Sequence, residues 1–262
     1  MEINKGDIFI LGKHRLMYGD SLSLIDVNKL MDGQKADMIW TDPPYSVNYK
    51  PEDRRKGGRK VHTLGGIIGD VNFQVTQLLD LINTGIVKGA VYMCCGTNQI
   101  EQIYPWVMKN LGYRPTFIMW VKNGFSILAR DYHSAYEPML YFYYPGKKFR
   151  GKRGQTDVWF IKRRSTGKYV HPTMKPIALI QRAIENSSDK GDIVLDLFGG
   201  SGSTMIACEN TERRCYMMEL DPKYVEVIIN RWESLTGGTC IKLNESLSNL
   251  EAPIKDSGGQ ND

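Results

Sequence analysis

Two short stretches hold residues that could do chemistry at a fixed spacing. In Asp42-Pro43-Pro44-Tyr45 the prolines lock the backbone, so the Asp42 carboxylate and the Pro43 carbonyl are held at a set separation. Both can then accept from one NH2 group. The Tyr45 ring beside them offers a flat face for stacking. The second stretch, Asp192 to Thr204 (DIVLDLFGGSGST), empties an apolar run into Gly199, Gly200 and Gly202, where a ligand can approach the backbone closely. A helix opening there presents free amide N–H groups. Glu219 stands 17 residues past Gly202 at the end of the next apolar run, where a carboxylate can accept both hydroxyls of a ribose. Such a unit suits an adenosine-bearing molecule without saying which, since dinucleotide-dependent dehydrogenases use the same logic. No Lys-Ser or Lys-Thr follows the glycines, which argues against a phosphate-cradling P-loop.

The elements that must position these residues alternate. Strand patterns occur in RLMYG, ADMIWT, AVYMCC, PTFIMWV, PMLYFYY, DIVLDLF and RCYMMEL, each short, apolar and rich in β-branched or aromatic residues. Helical patterns cover Leu22 to Met31, Val75 to Ile86, Gln99 to Asn110, Pro176 to Asn186, Ser203 to Glu209 and Pro222 to Leu235. The last has Asp221 as a cap and Pro222 in its first turn. Near-continuous apolar strands separated by helices predict an α/β fold: a single, mostly parallel sheet with helices on both faces. Functional loops then lie at the carboxyl ends of the strands, where both chemical motifs fall. Residues 1–250 read as one domain, with a basic, Gly-rich loop at 50–70 and a disordered tail at 251–262.

Charge is unevenly spread. Residues 50–60 carry six basic and two acidic side chains and residues 146–168 nine and one, leaving 19 basic against 26 acidic elsewhere. Two basic segments on an acidic body predict a polyanion partner. The five cysteines lack CxxC spacing and read as reduced core residues. His62, His133 and His171 form no ligand spacing, so no metal is expected. With no run near the roughly 18 apolar residues of a membrane span and no signal-peptide layout at the start, the expected location is cytoplasmic.

Taken together, DPPY and DLFGGSGST resemble the amino-group DNA methyltransferases that use S-adenosylmethionine. With the catalytic motif ahead of the cofactor motif, the chain resembles their beta class, a circularly permuted form of the Rossmann-like methyltransferase domain. LMYGDSL, HPTMKPIALIQRAI, IMWVKNGF, SAYEPMLYFYY and TDVWFIKR are similar too, so the resemblance spans nearly all of residues 14–236. Met174 stands where the family more often has Gln.

The resemblance implies a base flipped out of double-stranded DNA as target, with Asp42, Pro43, Pro44 and Tyr45 catalytic. It implies cofactor contacts from Asp20, Asp42, His171, Thr173, Lys175, Asp196, Phe198, Gly199, Gly200, Ser201, Gly202 and Glu219. An Asp at the first motif position goes mostly with adenine N6 and a Ser with cytosine N4, so Asp42 favours adenine. RNA and protein-glutamine methyltransferases usually carry Asn there. A carbon-5 cytosine enzyme needs a nucleophilic Cys, typically within Pro-Cys, and no Pro-Cys occurs. DNA contacts are expected from Lys50, Arg54, Arg55, Lys56, Arg59 and Lys60, and from Lys147, Lys148, Arg150, Lys152, Arg153, Arg163 and Arg164. The second group lies in a candidate target-recognition segment, residues 145–170, with Trp159 and Phe160 between the charges. A homodimer and a restriction endonuclease partner are left open. The rival readings are a cytosine-N4 DNA methyltransferase, a nicotinamide-dependent oxidoreductase and a non-enzymatic DNA-binding module.

Overall fold

The computed structural model describes residues 2–45, 73–126, 131–162 and 174–243. Lys50, Arg54, Arg55, Lys56, Arg59 and Lys60 of the basic loop lie outside the described residues, as do His62, Arg163, Arg164, His171, Thr173 and the tail 251–262. In chain order the elements are β1 (Ile8–Leu11), β2 (His14–Tyr18), α1 (Leu24–Met31), β3 (Ala36–Thr41), α2 (Val75–Ile82), β4 (Val87–Cys94), α3 (Thr97–Leu111), β5 (Thr116–Ser126), β6 (Ser134–Tyr143), β7 (Val158–Phe160), α4 (Ile177–Ser187), β8 (Ile193–Asp196), α5 (Ser203–Asn210), β9 (Arg214–Glu219), α6 (Pro222–Thr236) and β10 (Ile241–Leu243).

The strands form one sheet in the order β10-β1-β2-β9-β8-β3-β4-β6-β5-β7. The five from β2 to β4 run parallel. At the edges, β1 is antiparallel to both β2 and β10, and β6 to both β4 and β5, while β7 is parallel to β5. Two apolar clusters coat the two faces. Met38 and Trp40 of β3 pack with residues of α4, α5 and α6, whereas Ile39, between them, packs with residues of α1, α2 and α3. Burial on both sides explains why β3, buried at all six positions, carries the unbroken apolar run Met38 to Trp40 rather than an alternation.

Adjacent strands β3 and β8 send their chains in opposite directions, β3 through α2 to β4 and β8 through α5 to β9. Their carboxyl ends therefore flank a switch point, where an open α/β sheet leaves a crevice. The Asp42 corner leaves β3 and the glycine turn leaves β8 at this place. All five cysteines are buried and free.

The structure adds three strands that the sequence patterns do not mark, β1, β7 and β10. Trp159 of β7 is a core residue, 2% exposed, with its ring 6.1 Å from that of Tyr92 and the Arg182 guanidinium over its face. Part of the segment expected to meet a target is therefore sheet edge. Phe160, its neighbour, faces outward at 77% exposure. Among the described residues no helix is long and apolar enough to cross a membrane.

Candidate active site

The first turn of α3 fixes the corner that follows β3. The Gln99 side-chain amide donates to the Pro44 carbonyl at 2.9 Å, and that of Asn98 donates to the Tyr45 carbonyl at 2.9 Å. Gly96 permits this approach, since a Cβ there would stand 2.4 Å from Asn98 Oδ1 and 3.3 Å from Tyr45 Cβ. With the Pro44 and Tyr45 carbonyls engaged, the Pro43 carbonyl has no hydrogen-bond donor among the described residues. One acceptor of the corner is thus available to a ligand.

Asp42 is held from two sides. The Tyr45 hydroxyl donates to Oδ1 at 2.9 Å, and Lys175 Nζ donates to Oδ2 at 2.6 Å. Lys175 is buried just ahead of α4 and also lies 3.3 Å from the Tyr45 hydroxyl and 3.3 Å from Glu137 Oε2. Glu137, on β6, has Lys122 at 2.5 Å on its other oxygen. Burial opposes charge on Lys175, but the carboxylates of Asp42 and Glu137 outweigh it and hold the ammonium well above the usual lysine range. Burial likewise opposes charge on Glu137, yet Lys175 and Lys122 bring its carboxyl down to about 2. Burial, reinforced by Asp42, lifts the Tyr45 phenol well above its ordinary value, so it serves as a neutral donor.

Across the crevice, Gly200 and Gly202 take φ of 51° and 80°, conformations that a side chain would strain. Gly199 lies so close to Met217 that a Cβ would meet its Sδ at 2.8 Å, and space is open above Gly200. From below, α6 braces the turn: Arg231 donates to the Ser201 carbonyl, and Ile228 packs under Gly202. Phe198 meets the Phe73 ring edge-on at 5.5 Å. Asp196 accepts from the Phe198 amide at 3.0 Å and from the Thr204 hydroxyl at 2.5 Å. Burial pushes its carboxyl up to about 8 despite these bonds, and the charges of Asp42 and Glu219 add to the rise. The three carboxylates therefore share one neighbourhood.

Glu219 accepts from the amides of Gly200, Leu220 and Asp221 at 2.6, 2.9 and 2.8 Å. Burial nevertheless raises its carboxyl to about 7. Asp20 stands two residues past Tyr18, which pairs with Glu219 across β2 and β9, and Gly19 between them donates to the Glu219 carbonyl, so Asp20 joins the same rim. Thr41 Oγ1, beside the corner, and Ser203 Oγ, beside the glycine turn, are buried without a hydrogen-bond partner among the described residues.

Asn98, Gln99 and Glu137 are site residues that sequence reasoning does not single out. What could have found them is their position: Asn98 and Gln99 follow the end of β4, the strand beside β3, and Glu137 is a charge inside a strand pattern. Lys175, expected among the cofactor contacts, touches Asp42, Tyr45 and Glu137.

Part of the second basic group is placed elsewhere. Lys148 pairs with Asp192 at 2.7 Å and Asp189 at 3.1 Å, and Arg150 grips Asp189 through two bonds of 2.8 and 2.9 Å. The Lys147 ammonium sits 3.2 Å from the Tyr143 ring centre. Because β6 runs antiparallel to β4, residues after its end lie at the amino ends of the parallel strands, opposite the crevice. These three cations belong to that base, while Lys152 and Arg153 are exposed on the way to β7. The charge count alone could not separate the two ends of the sheet.

The N6/N4 methyltransferase family model, described as DNA methylase, matches residues 36–231. The Type II methyltransferase M.HpaI of Haemophilus parainfluenzae is 27% identical over 235 residues, covering 80% of this chain and 72% of that protein. M2.MboI of Moraxella bovis, also a Type II methyltransferase, is 30% identical over 249 residues, covering 81% and 86%. Among solved structures, the M1.HpyAVI-SAM complex is similar with a TM-score of 0.60 at 27% identity, over 82% of this chain and 98% of that one.

Proposed function

This chain belongs to the N6/N4 DNA methylase family, and from that premise we propose that it methylates the exocyclic N6 of an adenine turned out of duplex DNA, with S-adenosylmethionine as donor. The observation that carries the reading is the meeting of the Asp42 corner and the glycine turn at one switch point between β3 and β8. The donor set suits the cofactor. Glu219 offers a carboxylate at the rim for the ribose, Asp20 is its neighbour, and the glycine turn leaves bare backbone over open space at Gly200. When bound, the cofactor supplies an electrophilic methyl group on a sulfonium.

This chain's residues do the orienting. The Pro43 carbonyl and the Asp42 carboxylate, which keeps lone pairs beyond those given to Tyr45 and Lys175, accept from the two N–H bonds of the amino group. That turns the nitrogen lone pair toward the donor side of the crevice, and orientation is the main contribution to rate. Tyr45 supplies the ring that stacks on the base. Lys175 stays protonated, so the proton released after transfer goes to Asp42 or to water and not to this lysine. DNA phosphates are met by Lys50, Arg54, Arg55, Lys56, Arg59, Lys60, Arg163 and Arg164, which positions the duplex without reading sequence.

Incubation with tritiated S-adenosylmethionine and unmethylated DNA should place the label in adenine. Label in cytosine alone would reassign the base to cytosine N4, and absence of label with any DNA would remove the activity. Asp42→Ala should reduce transfer about 1000-fold or more and leave DNA affinity nearly unchanged.

A further inference from the structure

We propose that Lys175 is a positioning residue for Asp42, pinning the carboxylate in its productive rotamer with Glu137 as counter-charge, rather than a ligand of the cofactor; this rests on the methyltransferase reading above. The ammonium is enclosed. Asp42 Oδ2 lies at 2.6 Å, the Tyr45 hydroxyl and Glu137 Oε2 at 3.3 Å each, and the Tyr45 ring centre at 5.5 Å, with the side chain 7% exposed. Two of the ammonium's donors go to Asp42 and the Tyr45 hydroxyl, and Glu137 stands beside it as an ion-pair partner. Among the described residues its partners all belong to the corner or brace it, and none belongs to the glycine turn.

The arrangement is a chain of alternating charge: Lys122, Glu137, Lys175, Asp42. Each buried charge has an opposite neighbour, the condition for keeping ions out of water. Removing Glu137 would leave one ammonium facing one carboxylate that must also serve the substrate. With Glu137 present, the ammonium is drawn to two sides and holds Asp42 by one oxygen, while Tyr45 holds the other. Both rotamer and distance of the clamp are then set before a base arrives. A misplacement on the order of 1 Å in such a clamp costs about 100-fold in rate.

The test compares single-turnover methylation by the parent protein, K175M, K175R and E137Q at saturating DNA and S-adenosylmethionine, with cofactor affinity measured in parallel by calorimetry. K175M should lose about 100-fold in the rate constant with its cofactor Kd within about threefold of the parent. K175R should recover at least about tenfold of that loss, because a guanidinium still donates to Asp42. E137Q should fall between parent and K175M. A K175M protein that keeps its rate constant but loses cofactor affinity would overturn the proposal and return Lys175 to the cofactor. Absence of transfer by the parent itself would sink the methyltransferase reading instead. A crystal structure of K175M decides independently of turnover: an Asp42 side chain swung away from Tyr45 supports the positioning role, and one left in place refutes it.

Discussion

Asp196 is a buried acid beneath the glycine turn whose carboxyl burial pushes up to about 8, and its effect on stability has a definite sign. In the unfolded chain an aspartate gives up its proton near 4, whereas the folded protein keeps it to about 8. Between those values the folded state binds more protons, so raising the pH through the window removes stability. Asp196→Asn keeps the bond from the Phe198 amide through its carbonyl and reverses the one with Thr204, its amide now donating to the hydroxyl that donates to Asp196 in the parent. Thermal unfolding followed at about pH 4 and about pH 8.5 should therefore show little difference at the lower value and a melting temperature several degrees higher for the variant at the upper one. An equal gain at both would mean that Asp196 has an ordinary titration. The same carboxyl illustrates what a sequence hides: its place before the glycines is legible, but its protonation follows from the burial that α5 and the neighbouring strands impose.

At the scale of elements, the helix that follows one strand serves the corner that follows the next. Gln99 of α3 is 2% exposed, and its amide satisfies the Pro44 carbonyl while its oxygen accepts from the Gly96 amide at 3.2 Å. Gln99→Ala frees both groups, a loss of about 1–3 kcal/mol for each one left buried without a partner. It should cut the methylation rate roughly tenfold and leave cofactor affinity unchanged; an unaltered rate would show that the two prolines alone hold the corner. Long apolar strands such as β3 and β9, and helix ends such as Asp221-Pro222, whose carboxylate accepts from the Lys223 amide, are legible because local propensity and tertiary packing agree. β1, β7 and β10 are not, since each has only three or four residues and its pairing partner decides it. In β7 the signal is further masked by Arg153 and Lys162 on either side. The Lys175 contacts with Asp42 and Glu137 join residues far apart in the chain, so no local pattern announces them.

For the whole molecule, the function proposed above predicts two jobs for the positive charge of the basic segments. Tyr45, Phe73, Ser126, Ser134 and Lys162 adjoin the carboxyl ends of the parallel strands, and in the chain they flank residues 46–72, 127–130 and 163–173, which lie outside the described residues. Those segments contain ten basic and three acidic residues. At the opposite end, Lys88 and Lys148 surround Asp37, whose carboxylate also accepts from the Ile193 amide at 2.9 Å, and Arg150 and Lys148 close on Asp189 and Asp192. These cations are spent on acids of the fold and bind β3, β8 and the segment after β6 together. Neutralising Lys50, Arg54, Arg55, Lys56, Arg59 and Lys60 with alanine should therefore weaken DNA binding. It should also flatten the slope of log affinity against log salt by about 0.9 for each phosphate no longer neutralised. The matched set Lys147→Ala, Lys148→Ala and Arg150→Ala should leave both the affinity and the slope near the parent values while lowering the melting temperature. Fluorescence anisotropy with a duplex oligonucleotide across a salt series, run beside thermal melts of both variants, separates the two. If the second set flattens the salt slope as strongly as the first, DNA reaches the base of the sheet, and the positive charge is not divided between the two ends.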